Sequence, residues 1–319
     1  MKFKKVEDLT GVSRTTIKKW LETDLDINLE KTNSGAHLFR WPDVFKIHQY
    51  SQFSGKNFSE CKVITIANNK GGVGKTTSTH NIALGLSYIG KTLMIDLDGQ
   101  SNLTQLFDIN PSGTTKSIID LFQGADFSTV VHQISHGLDI VPSHIRFDKW
   151  KKSNQGQIQS ALLLKRRLKE IKKNYDFIII DTPPALDLSL DQALYASDYC
   201  IISLQAEYLA VEGMHNLIET IEEIKKDTDI VDFNLKTIGI FLTMYEHHKA
   251  LSKTLASAVY NEYGDLLFDA MVRRSESIKQ AQAGKVSTYE FDESCSGAED
   301  YFEITTELLK RIHNDEKVA

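Results

Sequence analysis

The stretch NNKGGVGKTT, residues 68–77, gathers three glycines, two lysines and two threonines within ten positions. Gly71, Gly72 and Gly74 can take backbone angles closed to other residues. Around Val73, their N–H groups can then converge on phosphate oxygens at the positive end of a following helix. In that arrangement Lys75 pairs with the β- and γ-phosphates, and the Thr76 hydroxyl, followed by Thr77, ligates Mg²⁺. The chemistry implied is binding and hydrolysis of ATP. The competing reading is a Gly-rich turn in a coenzyme-binding fold without hydrolysis; the strand-like VITIA (63–67) before the loop and the helix-like run from Lys75 to Tyr88 after it argue against that. The spacing departs from G-x-x-x-x-G-K-[ST] in two ways: Asn69 stands where the first glycine is expected, and Lys70 is a lysine that the pattern does not require.

Carboxylates complete such a site. FIII (177–180) runs into Asp181 of DTPP, where a carboxylate can hold Mg²⁺ through water; the alternative is an aspartate capping the next helix. MIDLDGQSN (94–102) ends another apolar run with Asp96 and Asp98. Two apart on a strand end, they point the same way, so one can orient or deprotonate the attacking water while the other helps hold the metal. A turn held by Asx hydrogen bonds is the other account of the pair.

These loops need a scaffold with its strand ends together. VITIA, TLMID (92–96), LDIV (138–141), FIII, CIISL (200–204) and TIGIFL (237–242) are continuous apolar runs separated by amphipathic stretches. Continuous runs suit strands covered on both faces, and helical crossovers imply a mainly parallel sheet flanked by helices, with ligands beyond the strands' carboxyl ends. The last amphipathic stretch, GAEDYFEITTELLKRIHN (297–314), places Tyr301, Ile304, Leu308 and Ile312 at helical spacing, as a core-covering helix would. With 319 residues the chain has room for one large α/β domain and a small one. A net charge of −6 excludes a global positive field, so any nucleic-acid binding must use local patches. Cys61, Cys200 and Cys295 form no CxxC pair, which argues against a zinc site or disulfide framework and suits a reducing cytoplasm. The start MKFKKVEDLT has no apolar signal core, and no apolar run approaches the roughly 20 residues of a membrane helix; a cytoplasmic protein is expected.

KGGVGKTT, DLDGQSN and FIIIDTPP in this order, with LQAEYLAVEGMHNL (204–217), resemble the ParA/MinD group of deviant-Walker ATPases over about residues 61–313. The resemblance implies a P-loop NTPase fold, weak Mg²⁺-dependent ATPase activity and an ATP-dependent homodimer. It gives Asn69 and Lys70 a meaning: the first glycine is normally absent, and the extra lysine reaches across the dimer to the partner's phosphates, where a cation supplied in trans neutralises charge. It makes Lys70, Lys75 and Asp98 the catalytic candidates and Thr76, Asp96 and Asp181 the metal candidates. The family usually reads DxDPQ; Gly99 at the proline position is expected to loosen the Asp98 loop. MYEHHKA (244–250) and MVRRSESIKQAQAGK (271–285) resemble segments carrying nonspecific DNA contacts and, at Arg273, a nucleotide-base contact, which singles out Lys249, Arg273 and Arg274; a solvated charged face is the alternative. A separate ParB-type centromere-binding partner and nucleoid association are implied as well.

Residues 1–50 have a different grammar. VEDLTGVSRTTIKKWLE (6–22) reads as two short helices joined at Gly11, with Val6, Leu9, Val12, Ile17 and Leu21 as a small core. Arg14, Thr15, Thr16, Lys18 and Lys19 line the second helix as a recognition helix would. NSGAHLFRWPDVFKIHQY resembles the wing and third helix of MerR-type domains, with Arg40 near phosphate. We expect a helix-turn-helix DNA-binding domain at 1–50, a linker at 51–60 and the ATPase domain at 61–319; an oligomerisation module is the alternative for the first segment. The leading functional expectation is a ParA-like ATPase that segregates plasmid or chromosomal DNA and represses its own operon. The alternatives are a MinD-like positioning ATPase at a membrane, against which the NDEKVA end lacks an apolar block, and an ATP-responsive transcription regulator.

Overall fold

A computed structural model describes residues 1–32, 36–54, 58–226 and 233–318, leaving the side chains of 208–213 outside the description. Strands β1 (Glu30–Lys31) and β2 (His37–Leu38) close a short antiparallel hairpin. The apolar runs become β3 (Lys62–Ala67), β4 (Thr92–Asp96), β6 (Leu138–Val141), β7 (Phe177–Asp181), β8 (Tyr199–Gln205) and β9 (Lys236–Thr243). With β5 (His132–Ser135) they form a seven-stranded sheet of order β5-β6-β4-β7-β3-β8-β9. Every pairing in it is parallel except that of β5 with β6.

Residue alternation divides the core. Ile64, Ile66, Met94, Ile140, Ile179 and Ile201 face the helices Lys75–Ser87 and Ser296–Val318. Val63, Leu93, Ile95, Val141, Ile178 and Ile180 join a cluster on the opposite face. Both faces are therefore dry, which is why the strands read as unbroken apolar runs. The last helix buries Tyr301, Ile304, Leu308 and Ile312, as their spacing requires.

The first fifty residues pack against the rest of the chain. Helices Phe3–Thr10 and Arg14–Thr23 meet around fully buried Val6 and Ile17, with Leu9, Val12 and Leu21 half-buried beside them. The hydroxyl of Ser13 accepts from Thr16 N and starts the second helix. Part of the expected wing, 33–35, lies outside the described residues. The third helix, Trp41–Phe53, does not stand apart: Phe39, Trp41, Phe45 and Ile47 belong to the same buried cluster as the sheet. The Trp41 ring lies 5.2 Å from that of Tyr289 and 5.5 Å from that of Phe302. Phe45 seats on Gly85 of the helix Lys75–Ser87, where a Cβ would approach its Cζ to 2.7 Å. The expected linker at 51–60 packs in part as well. Residues 51–53 complete the third helix, 55–57 lie outside the described residues, and Phe58 packs edge-on against Phe177, 5.8 Å between rings. Aromatic burial joins the N-terminal segment to the nucleotide-loop helix and the C-terminal helix in one continuous core.

This docking is pH-sensitive. His48 lies edge-on to Phe302, and its Nδ1 is buried without a hydrogen-bond partner among the described residues. Burial lowers its pKa to about 4. A depressed histidine stabilises the fold fully above the unfolded value of about 6.5 and loses that contribution as pH falls toward 4, because the unfolded chain takes up the proton first. Burial raises the pKa of Asp96 and Asp181, which shifts stability in the opposite sense, so the informative quantity is a difference. From pH 7 to pH 5, a His48→Phe variant is expected to gain about 2 kcal/mol of stability on the parent, read by urea unfolding at both pH values. A pH-independent difference would contradict this assignment.

Candidate nucleotide site

β3 delivers the loop 68–74 to the carboxyl edge of the sheet, and the helix Lys75–Ser87 leaves from it. Gly72 and Gly74 have φ of 75° and 84°, left-handed values that turn the loop over the helix N-terminus. A cleft of about 320 Å³ opens there, lined by loop residues Gly71, Gly72 and Gly74 to Thr77, with Asp98, Asn102, Thr182, Pro184, Met244 and Gln282. Lys75 is 6% exposed, and its Nζ donates to the Lys70 carbonyl at 3.0 Å. Burial lowers its pKa, against the opposing pull of Asp181 and Asp98. A buried ammonium with three donors, a carbonyl bond and a polar cleft in front of it fits a multiply charged phosphate.

Val73 is buried, and its carbonyl accepts from Thr243 Oγ1 at 2.9 Å, fixing the loop to the end of β9. Asp181 stands behind Thr76: its carboxylate accepts from Thr76 Oγ1 at 2.7 Å and Thr79 Oγ1 at 3.2 Å. It is fully buried, and burial with Asp96 alongside raises its pKa. A hydroxyl backed by a carboxylate is an oxygen donor set that suits Mg²⁺, so Thr76 and Asp181 fit the metal roles expected of them.

Asp96 does not. It pairs in register with Asp181 across β4 and β7, is fully buried, and its carboxylate is occupied by Thr104 N (2.9 Å), Thr104 Oγ1 (2.7 Å) and Asp98 N (3.0 Å). Asp98 faces the cleft and Asp96 does not. The expectation that both point one way fails because β4 ends at Asp96, and strand alternation stops with it.

The Asp98 loop is tied rather than loose. Ser101 N donates to the Asp98 carbonyl at 2.8 Å and Gln100 N to Asp98 Oδ1 at 2.9 Å. At Gly99 an added Cβ would lie 2.4 Å from the Asp148 carboxylate, which Lys151 holds at 2.9 Å while also binding Asp187 at 2.7 Å. A larger residue at position 99 would have to displace the Asp148 carboxylate from this place. Sequence reasoning passed over this network, since its members are separated along the chain and carry no motif.

The basic residues are also engaged. Arg273 is absent from the cleft: its Nε donates to Asp300 Oδ1 at 2.8 Å, and its Nη2 lies 2.6 Å from the same oxygen. The base and DNA contacts expected of that side chain would require it to exchange Asp300 for them. Lys249 and Arg274 are exposed but share Glu246, at 2.5 Å and 3.6 Å, which reduces the charge they present. Arg40 pairs with Glu30 at 3.0 Å and Glu293 at 3.8 Å. On the second helix Arg14, Thr15, Lys18 and Lys19 are exposed, with the Arg14 guanidinium 4.9 Å from the centre of the Phe3 ring. Thr16 is half-buried, its hydroxyl 2.8 Å from that of Ser13 at the exposed start of the helix. Lys70 Nζ donates to Glu207 Oε2 at 2.6 Å.

Residues 61–238 match the family model AAA_31, an AAA domain. The "Chromosome-partitioning ATPase Soj" of Treponema pallidum is 32% identical over 253 residues, covering 78% of this chain and 98% of that protein. A putative plasmid partition protein of Borrelia burgdorferi bound to AMPPNP superposes with a TM-score of 0.68 at 28% identity, covering 79% of this chain and all of that one. Cobyrinic acid a,c-diamide synthase of Mycobacterium smegmatis, with an ATP analogue and magnesium, gives 0.69 at 26%, covering 79% and 95%.

Proposed function

The chain belongs to the family of Soj- and ParA-type partition ATPases, and from that premise we propose that it drives segregation of plasmid or chromosomal DNA by ATP-dependent dimerisation. The observation that carries this reading is the convergence of Lys75, Thr76 and Asp98 on one cleft, with Asp181 behind Thr76. ATP and Mg²⁺ are its cofactors, in keeping with the nucleotide complexes of the Borrelia and Mycobacterium proteins. Mg²⁺ in such a site neutralises charge that develops on the phosphates. Lys75 and the N–H groups of residues 71–77 would bind and orient the triphosphate, Thr76 and Asp181 would hold the metal, and Asp98 would orient the attacking water and accept its proton. Lys70 of one protomer serves the phosphates of the other. Asp98→Ala is therefore expected to bind ATP, release no phosphate and accumulate as a dimer. Sedimentation in ATP and Mg²⁺ reads this; a monomer that turns over at the parental rate would refute the role.

DNA enters the proposal through two surfaces. Lys249 and Arg274, doubled by dimerisation, give a modest salt-sensitive nonspecific contact. The exposed face of helix Arg14–Thr23 is suited to a major groove, and a dimer would present two such helices to an inverted repeat. The third helix of the same segment, Trp41–Phe53, seats Phe45 on Gly85 of the nucleotide-loop helix, which favours a repressor of its own operon that responds to nucleotide. Arg14→Ala should weaken a specific footprint by about 1–3 kcal/mol, the value of one base contact, and leave nonspecific binding intact. Equal losses on both DNAs would place Arg14 on phosphate only. A ParB-type centromere-binding protein is the expected partner. The membrane-positioning alternative has less support: the helix Ser296–Val318 buries Tyr301, Phe302, Ile304, Leu308, Leu309 and Ile312 in the core, and none of the described helices is long and apolar enough to cross a membrane.

A further inference from the structure

Lys70 and Glu207 are 137 residues apart in sequence, yet the loop geometry brings their side chains together. Asn68 Nδ2 donates to the Ser203 carbonyl of β8 at 2.6 Å, and Asn68 Oδ1 accepts from Lys70 N at 2.8 Å. The nucleotide loop is thereby pinned to β8, and Glu207 follows two residues after that strand ends at Gln205. Both carboxylate oxygens of Glu207 are engaged: Oε1 by Gln205 Nε2 at 2.6 Å and Oε2 by Lys70 Nζ at 2.6 Å. Glu207 is thus aimed at Lys70 by its own strand end.

We propose that Glu207 is a positioning residue for Lys70, a latch that holds the ammonium within its own protomer and must release it before Lys70 can reach the partner's phosphates. The proposal rests on the trans role of Lys70 given above. The side chains are 34% and 51% exposed. Solvent screening makes such a pair weak enough to open and strong enough to bias an equilibrium, about 1.4- to 5-fold for each. Two latches open per dimer, so the dimer is held back by about two- to thirtyfold. The latch also communicates with the cleft. The Lys70 carbonyl accepts from Lys75 Nζ at 3.0 Å, so a triphosphate that draws Lys75 forward removes one of the bonds that fix the Lys70 backbone. Nucleotide binding and latch release are then coupled, and a monomer without ATP keeps its trans-acting lysine sequestered.

The test is the protein concentration at which the full chain becomes half dimeric in saturating ATP and Mg²⁺, by sedimentation. Glu207→Ala is expected to lower that midpoint by about two- to thirtyfold, with Glu207→Asp nearer the parent. Lys70→Ala is expected to raise the midpoint, and adding Glu207→Ala to Lys70→Ala should leave that raised midpoint where it is, which a merely structural role for Glu207 would not produce. A midpoint unchanged or raised in Glu207→Ala overturns the latch, and so does a shift that persists without Lys70. A Lys70→Ala dimer as stable as the parent's removes the trans reading and the latch together. A raised Lys70→Ala midpoint beside an unchanged Glu207→Ala midpoint removes the latch alone.

Discussion

Lys75→Ala is expected to abolish ATP binding at concentrations that saturate the parent. The ammonium is buried beneath the loop, and among the described residues its hydrogen bond goes to a backbone carbonyl. The desolvation that lowers its pKa has already been met in the folded chain, so a phosphate meets a cation stripped of competing water. Removing one partner of a buried charge pair costs about 3–5 kcal/mol, or roughly two to three and a half orders of magnitude in Kd. A ligand at one hundred times its Kd stabilises the fold by about 2.7 kcal/mol. The parent should therefore melt several degrees higher with ATP and Mg²⁺, and Lys75→Ala should melt at the same temperature with and without them. The nucleotide-free variant keeps its fold, because alanine suits a helix N-terminal turn and removes a desolvated charge. A parental ATP-induced shift in Lys75→Ala would place the triphosphate elsewhere.

The chemistry of the loop was legible because it is local. Gly71 to Thr77 occupy consecutive positions, and the strand before them and helix after them have unbroken patterns. Six strands were legible for the same reason: both faces are covered, so Val63 and Ile64 are both apolar although they face opposite clusters. The edge strand β5 was not. HQIS alternates between half-buried and exposed, pairs antiparallel with β6, and carries no run to notice. Asp96 and Asp98 show where periodic reasoning stops, since the rule that aligns residues two apart holds only while the strand continues. Lys70 with Glu207, Gly99 with Asp148, and Phe45 with Gly85 were beyond reach for a different reason. Each is a contact between distant segments, and a glycine in sequence does not say which side chain needs its missing Cβ.

Trp41→Ala is expected to destabilise the whole chain by about 3–5 kcal/mol, the usual range for deleting a buried large aromatic. Trp41 is 1% exposed and lies between the N-terminal segment and the ATPase core, against Tyr289 and Phe302. Phe302 belongs to the helix Ser296–Val318, which covers the sheet and packs on the nucleotide-loop helix, where Ser78 Oγ lies 3.2 Å from the Tyr301 hydroxyl. A cavity at Trp41 therefore loosens contacts shared by the N-terminal segment and the ATP site, and the parent and variant should each melt in a single transition. Trp41→Phe separates packing from polarity. The indole Nε1 is buried with no hydrogen-bond partner among the described residues, so phenylalanine loses area but also removes an unpaired donor, and its cost should be well below that of alanine. A construction of two independent units predicts another result: an early, small transition for residues 1–53 and an unchanged main melt. Calorimetry distinguishes them. One transition that moves as a whole would make the N-terminal segment a fixed part of the ATPase surface, so that a recognition helix on DNA and a nucleotide in the cleft strain the same packed aromatics.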